Sequence, residues 1–187
     1  GTSAHVNKKY TRALENPVEH SSDLSDRFTY TTLATSSVNL ICVPAIFYGS
    51  SIQKGSVRLK YYVSGTLIAE AADTLRNGVL YQTTGSLSGS VGVVLYSEGF
   101  IMLTSSANIS SHTEDYAPGA GALNSSWHYF GATGSYAGAP SSSFSIDFNG
   151  ENYIQTMTYF AHAKENQINF SNNPTFLSDK VESVTTN

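Results

Sequence analysis

His112 and Glu114 stand two residues apart, so on a strand they share one face, and Asp115 follows directly. An imidazole beside carboxylates is a metal-ligand grouping; the competing reading is a solvated loop histidine. His128 and His162 lie too far along the chain for any spacing rule to recruit them. Asp73, Asn77 and Gly78 look like the start of a calcium loop, but Leu75 occupies the third position and Thr84 the twelfth, where acidic ligands belong. A simple turn is the better reading, and no metal or cofactor is expected.

Nucleophilic catalysis needs a serine set up by its neighbours. The Gly-x-Ser-x-Gly elbow fails in both Gly-rich segments, because Gly85 to Gly89 centres on Leu87 and Gly134 to Gly138 on Tyr136. No glycine cluster leads into Gly-Lys-Ser or Gly-Lys-Thr, so the phosphate loop is missing. Glycoside hydrolysis, as in a polysaccharide depolymerase, requires paired carboxylates in a cleft. Asp147 and Glu151 flank a turn and Glu114 and Asp115 sit in a loop, and no sequence feature buries either pair. We therefore expect no enzyme and assign no catalytic residue.

The residues best suited to touching another molecule are Trp127, Tyr129 and Phe130, with Tyr136 nearby. Such aromatics stack on sugar rings or anchor protein contacts; equally, they form a local core beneath a long loop. Asn108, Asn124 and Asn169 each open an Asn-x-Ser sequence, a pattern that chance supplies in a chain so rich in serine.

Composition narrows the setting in which these residues work. The 187 residues suit one domain with a sizeable core. Only 13% are charged and the net charge is -4, which leaves no basic surface for nucleic acid. No apolar run reaches the roughly 18 residues of a membrane helix, so no membrane insertion is expected. Lys8 and Lys9 are followed by no apolar block, so no secretory signal is visible, and without an initiator Met the chain is expected to have been processed or excised from something longer. The single cysteine, Cys42, excludes an internal disulfide and reads as a small buried hydrophobe.

The elements that must position these residues are strands. Fifteen Gly, 12 Tyr and 9 Phe among many Ser and Thr favour strands joined by tight turns. Val57, Leu59, Tyr61 and Val63 alternate with Arg58, Lys60 and Tyr62, which marks a half-buried strand. Val38 to Val43 reads as a buried strand stopped by Pro44. Thr66 to Ala72 and the segment after Asn77-Gly78 read as two strands around a loop at Asp73 to Gly78. Val91 to Tyr96 and Phe100 to Thr104 flank Ser97-Glu98-Gly99, a three-residue hairpin loop with its glycine left-handed. Phe144, Ile146 and Phe148 alternate with Ser143, Ser145 and Asp147 before Asn149-Gly150, which predicts a hairpin returning through Tyr153 to Ala163. That returning segment is apolar on both faces, as a central strand would be.

These elements predict an all-β fold, a β-sandwich or jelly-roll-like antiparallel barrel with one long Ser/Gly/Ala-rich loop at 105–142. Residues 1–27, with turn signals at Asn16-Pro17 and Ser21 to Asp23, form an N-terminal arm or edge segment. Residues 28–176 form the β-sandwich domain, with a turn at Asn172 to Pro174 and a last anchor at Phe176. Residues 177–187 form a polar C-terminal linker, expected to be truncated from a longer chain.

Three blocks resemble structural proteins of marine T4-like bacteriophages and cyanophages: IFYGSSIQKGSVRLKYYVSGTL at Ile46 to Leu67, GVVLYSEGFIMLT at Gly92 to Thr104, and AHAKENQINFSNNPTF at Ala161 to Phe176. VNKKY at Val6 to Tyr10 is similar to the opening of the same family. The resemblance reaches most of the chain except 105–142, and none of its blocks carries a chemical mechanism. It implies a virion protein of the tail or baseplate, assembled in the host cytoplasm, whose partners are other virion proteins or further copies of itself. The alternative is a carbohydrate-binding or host-recognition module of a tail fibre, whose partner is host surface glycan. No catalytic residue follows from the resemblance.

Overall fold

Short runs of alternating β-branched and aromatic residues, punctuated by glycine, give a strand-dominated molecule. The computed structural model describes residues 13–29, 38–116, 121–132, 141–160 and 162. Within them lie one short helix, Glu15–His20 (α1), and eleven strands. The strands are Asn39–Cys42 (β1), Ser51–Ile52 (β2), Arg58–Val63 (β3), Thr66–Ala72 (β4), Val79–Thr84 (β5) and Ser90–Leu95 (β6). They continue with Phe100–Leu103 (β7), Asn108–Glu114 (β8), Leu123–Ser126 (β9), Ser142–Asp147 (β10) and Gly150–Glu151 (β11). Two single 3-10 turns, Ala45–Phe47 and Trp127–Tyr129, complete the set. The chain divides into two units, Gly1–Tyr153 and Ile154–Asn187.

Seven strands form one antiparallel sheet in the order β1-β7-β6-β5-β4-β3-β10. Register shifts at Tyr61/Tyr62, Glu70/Ala71 and Leu80/Tyr81 fall in three successive strand pairs. Each extra residue bends its strand and deepens the local twist. The sheet accordingly curls into an open half-barrel, with β1 and β10 as its unjoined edges. The closed jelly-roll-like barrel expected from sequence is not formed. Both faces find apolar cover from other elements, so burial does not require the edges to meet.

That cover differs between the faces. One core gathers Leu59, Tyr61, Ala69, Ala71, Leu80, Val94, Ile101 and Leu103 beneath Ile109, Tyr116, Trp127 and Phe130. The other gathers Val79, Val93, Leu95 and Met102 beneath Leu14, Val18 and Phe28. Neighbours such as Leu80 and Val79, or Ile101 and Met102, point to opposite faces, as a pleated strand requires.

The expected half-buried β3 is present, with Leu59 and Tyr61 buried. So is the pair β4–β5 around Asp73 to Gly78, and so is the β6–β7 hairpin, although Leu95 pairs with Phe100 and the loop therefore runs from Tyr96 to Gly99, one residue longer than expected. In the latter, Gly99 has φ 70° and its amide donates to the Leu95 carbonyl at 2.9 Å.

Other expectations are corrected. Asn16-Pro17 lies in the first turn of α1, where a missing proline N–H costs nothing, and Leu14 and Val18 bury one side of that turn. Val38 to Val43 is not a buried strand: β1 is an edge strand of half-exposed pattern, and Cys42 is exposed rather than buried. Residues 105–142 remain a long loop region, yet β8 and β9 pair within it as a separate antiparallel ribbon. Among the described residues the Asn149-Gly150 hairpin is not formed. β10 pairs with β3, and Gly150–Glu151 pairs with Ser51–Ile52 instead of turning back along β10. Tyr136, Asn169, Asn172 to Pro174, Phe176, the Val6 to Tyr10 block and the 177–187 linker lie outside the described residues.

Candidate functional site

Alternation along β8 does place His112 and Glu114 on one face, and the start of β10 brings Ser141 to them. The His112 Nε2 lies 3.0 Å from both the Ser141 Oγ and the Glu114 Oε1. A serine, a histidine and a glutamate in mutual contact invite comparison with a hydrolase triad. In a working triad one ring nitrogen receives the serine proton while the other holds the carboxylate. Here a single nitrogen meets both partners, and the Ser141 hydroxyl donates to Glu114 at 2.6 Å. The serine proton is thus committed to the carboxylate rather than to the imidazole.

Glu114 accepts further bonds from the backbone N–H of Ser141 at 2.6 Å and of Ser142 at 3.0 Å. Burial opposes charge on this carboxyl, but the Ser141 hydroxyl, the His112 ring and the two amides outweigh it and pull its pKa down to about 2. A carboxylate so stabilised is a poor general base. Its geometry does something else: it clasps β8 to the first residues of β10. Below it, the Tyr116 hydroxyl lies 3.0 Å from both Ser125 Oγ and Ser142 Oγ, and Ser125 Oγ donates to the His112 carbonyl at 3.2 Å. Ribbon and sheet are therefore joined by a polar seam beside their shared apolar core. Sequence spacing identified His112 and Glu114; Ser141, Tyr116 and Ser125 had no local signal, being joined to them only by the fold.

Asp115 is buried next to this seam, and among the described residues its Oδ1 meets no hydrogen-bond partner. Among the described residues no three metal-binding side chains converge. His128 is half-buried and His162 exposed.

Asp73 closes the β4–β5 loop. Its carboxylate is fully buried and accepts from the Gly55 amide at 2.8 Å, the Gly78 amide at 3.3 Å and the Tyr96 hydroxyl. These are the contacts of a turn-stapling side chain, with its oxygens turned to protein donors. The phenol of Tyr96 is pushed above its ordinary range by burial and then by this carboxylate.

The structure places the aromatic island in the core. Trp127 is fully buried, its indole N–H donating to Gln82 Oε1 at 2.8 Å, and Phe130 stacks on it with ring centroids 5.8 Å apart. Tyr61 packs edge-on against both. Trp127 and Phe130 thus turn their faces to the interior, as the reading of the island as a local core expects. Tyr129 remains half-buried, stacked on Tyr116 at 5.1 Å. Of the carboxylate pairs, Asp147 bonds Lys60 at 2.8 Å, while Glu151 accepts from Ser51 at 2.9 Å and Tyr153 at 2.6 Å.

What the structure exposes lies elsewhere. Ile46 and Phe47 project from the first 3-10 turn, and beyond β11 every residue of 152–160 is exposed. There Ile154 is 86% and Phe160 93% accessible. Comparison with protein-family models, with curated proteins and with solved structures finds no match to this chain.

Proposed function

We propose that the chain is a non-enzymatic structural subunit of a phage particle, of the tail or baseplate type, acting through fixed contacts with other virion proteins. The observation that carries this reading is the set of exposed large apolar side chains that each unit carries by itself: Ile46, Phe47 and Tyr153 in the first, and Ile154, Met157, Tyr159 and Phe160 in the second. Exposed apolar side chains of this kind are what a protein buried against neighbours presents when shown alone.

Two further features support it. The side chains with catalytic potential are engaged in fastening: Glu114, Ser141 and His112 bond one another, and Asp73 staples a loop. The resembling blocks at Ile46 to Leu67 and Gly92 to Thr104 span β2, β3 and the β6–β7 hairpin, the frame of the fold rather than a cleft. In finer terms we read the curled sheet with the β8–β9 ribbon packed on it as a sandwich-like arrangement, with its apolar core between two layers.

The glycan-binding alternative is weaker, because Trp127 and Phe130 are interior. Mass spectrometry of purified particles of the source phage tests the proposal: the protein is expected among the virion components, and its absence would defeat the reading.

A further inference from the structure

The seven-stranded sheet has two ends, and they differ in what they show. At one end lie the segments 43–57, 73–78, 96–99 and 148–153, which follow β1, β4, β6 and β10. At the other lie 64–65, 85–89 and 104–107. Ile46, Phe47, Leu75 and Tyr153 are 89%, 68%, 63% and 68% accessible, and all four belong to the first end. No other large apolar side chain among the described residues of this unit exceeds 38%.

That end is braced. The Tyr48 hydroxyl donates to the Ser97 carbonyl at 3.3 Å, the Gln53 amide to the Asn149 carbonyl at 2.8 Å, and the Gly55 amide to the Asp73 carboxylate at 2.8 Å. Segment 43–57 is thereby tied to each of the other three. Apolar side chains on backbone already ordered lose little freedom when covered, which is the condition of an anchor in a protein contact.

Charged neighbours specify the covering surface. Lys54 lies over the Tyr96 ring, its Nζ 5.8 Å from the centroid, and the Arg76 side chain lies against Gly55. Among the described residues neither cation makes an ion pair. Asp73, Asp147 and Glu151 instead bond within the chain. A membrane responds to summed charge, and at this end Glu98 and Glu151 offset Lys54 and Arg76. A protein contact is built from individual pairs, which two cations without partners invite. A second copy docked by two-fold symmetry would bring the same cations together.

We propose that this end docks on a different virion protein, whose contact surface sets carboxylates, flanked by apolar side chains, against Lys54 and Arg76. This inference rests on the structural-subunit reading and gives it a surface and a partner chemistry.

Carbodiimide cross-linking of purified particles tests it, because the reagent joins an amine to a carboxylate already in contact with it. Lys54 is expected to be linked to an Asp or Glu of another virion protein, and Arg76→Lys particles to gain a second link to that same protein. The Phe47→Ser/Leu75→Ser variant is expected to enter particles about tenfold less than wild type, while the isolated chain keeps its melting temperature. Lys54 linked only to carboxylates of this chain or its copies would overturn the proposal in favour of self-association. Binding of the isolated chain to phosphatidylserine vesicles, lost in the variant, would overturn it in favour of a membrane. Particles that hold the chain with Lys54 unlinked and accept the variant as wild type would overturn it while leaving the structural-subunit reading intact; particles without the chain would remove that reading itself.

Discussion

Gly150 lies directly against the backbone of Tyr48, so close that any Cβ at position 150 would collide with the Tyr48 carbonyl and Cα. The obstructing atoms are main chain, which cannot rotate aside, and the same contact seats β11 on β2 and sets where the chain leaves the sheet.

Substituting Gly150→Val should therefore cost about 2–4 kcal/mol, by overpacking and by lifting β11 from β2. Urea titration followed by circular dichroism measures it. A change below about 0.5 kcal/mol would mean that the close approach is not held in solution.

Glu114 makes stability depend on acid. Its folded pKa, about 2, lies below the ordinary 4.5, so the folded state holds its proton less tightly than the unfolded chain does. Its contribution is complete above pH 4.5 and is lost as the pH falls from there toward about 2. Glu114→Gln should lower stability by on the order of 1–3 kcal/mol at neutral pH and flatten this acid limb. Melting curves between pH 2 and 6 for both proteins would show it; parallel curves would contradict the clasp.

Alkaline conditions act through buried phenols. Burial raises the pKa of Tyr61 and Tyr96 above the ordinary 10.0, so their contribution is present below pH 10.0 and falls as the pH rises past it. Tyr96→Phe should weaken the base-induced transition and, by leaving Asp73 one donor short, cost about 1–3 kcal/mol at neutral pH. Ultraviolet titration of the phenolates, compared with the variant, distinguishes the two contributions.

Trp127 is the only tryptophan and reports directly on the core. Its emission should be blue-shifted in the native protein and shift red on unfolding. Trp127→Ala should cost about 3–5 kcal/mol, partly by stranding the Gln82 side chain. An exposed emission maximum in the native state would return Trp127 to the surface and revive its candidacy for glycan contact.

Local pattern made the strands legible where one rule sufficed. Leu59 and Tyr61 announced β3 by alternation, and Ser97 to Gly99 announced the β6–β7 turn through a glycine at φ 70°. Failures came where a distant partner decided. Asn149-Gly150 has the composition of a hairpin turn, but bonds to residues about a hundred positions earlier prevail. Cys42 sits in an apolar run, yet its strand became an edge. Pro17 reads as a breaker unless it falls in a helix's first turn. At the polar seam, His112 and Glu114 were visible by spacing, while Ser141 reached them across 27 residues of sequence. The island at Trp127 carried residue types equally suited to core and to contact, and only burial separated the two.

The central claim, that this fold is a building part of a particle, is tested most directly by counting it there. Quantitative mass spectrometry of gradient-purified phage should find the protein at a fixed number of copies relative to the other tail proteins, unchanged through successive purification steps. A copy number that falls toward zero with each step, with the protein recovered from the soluble lysate instead, would contradict the account.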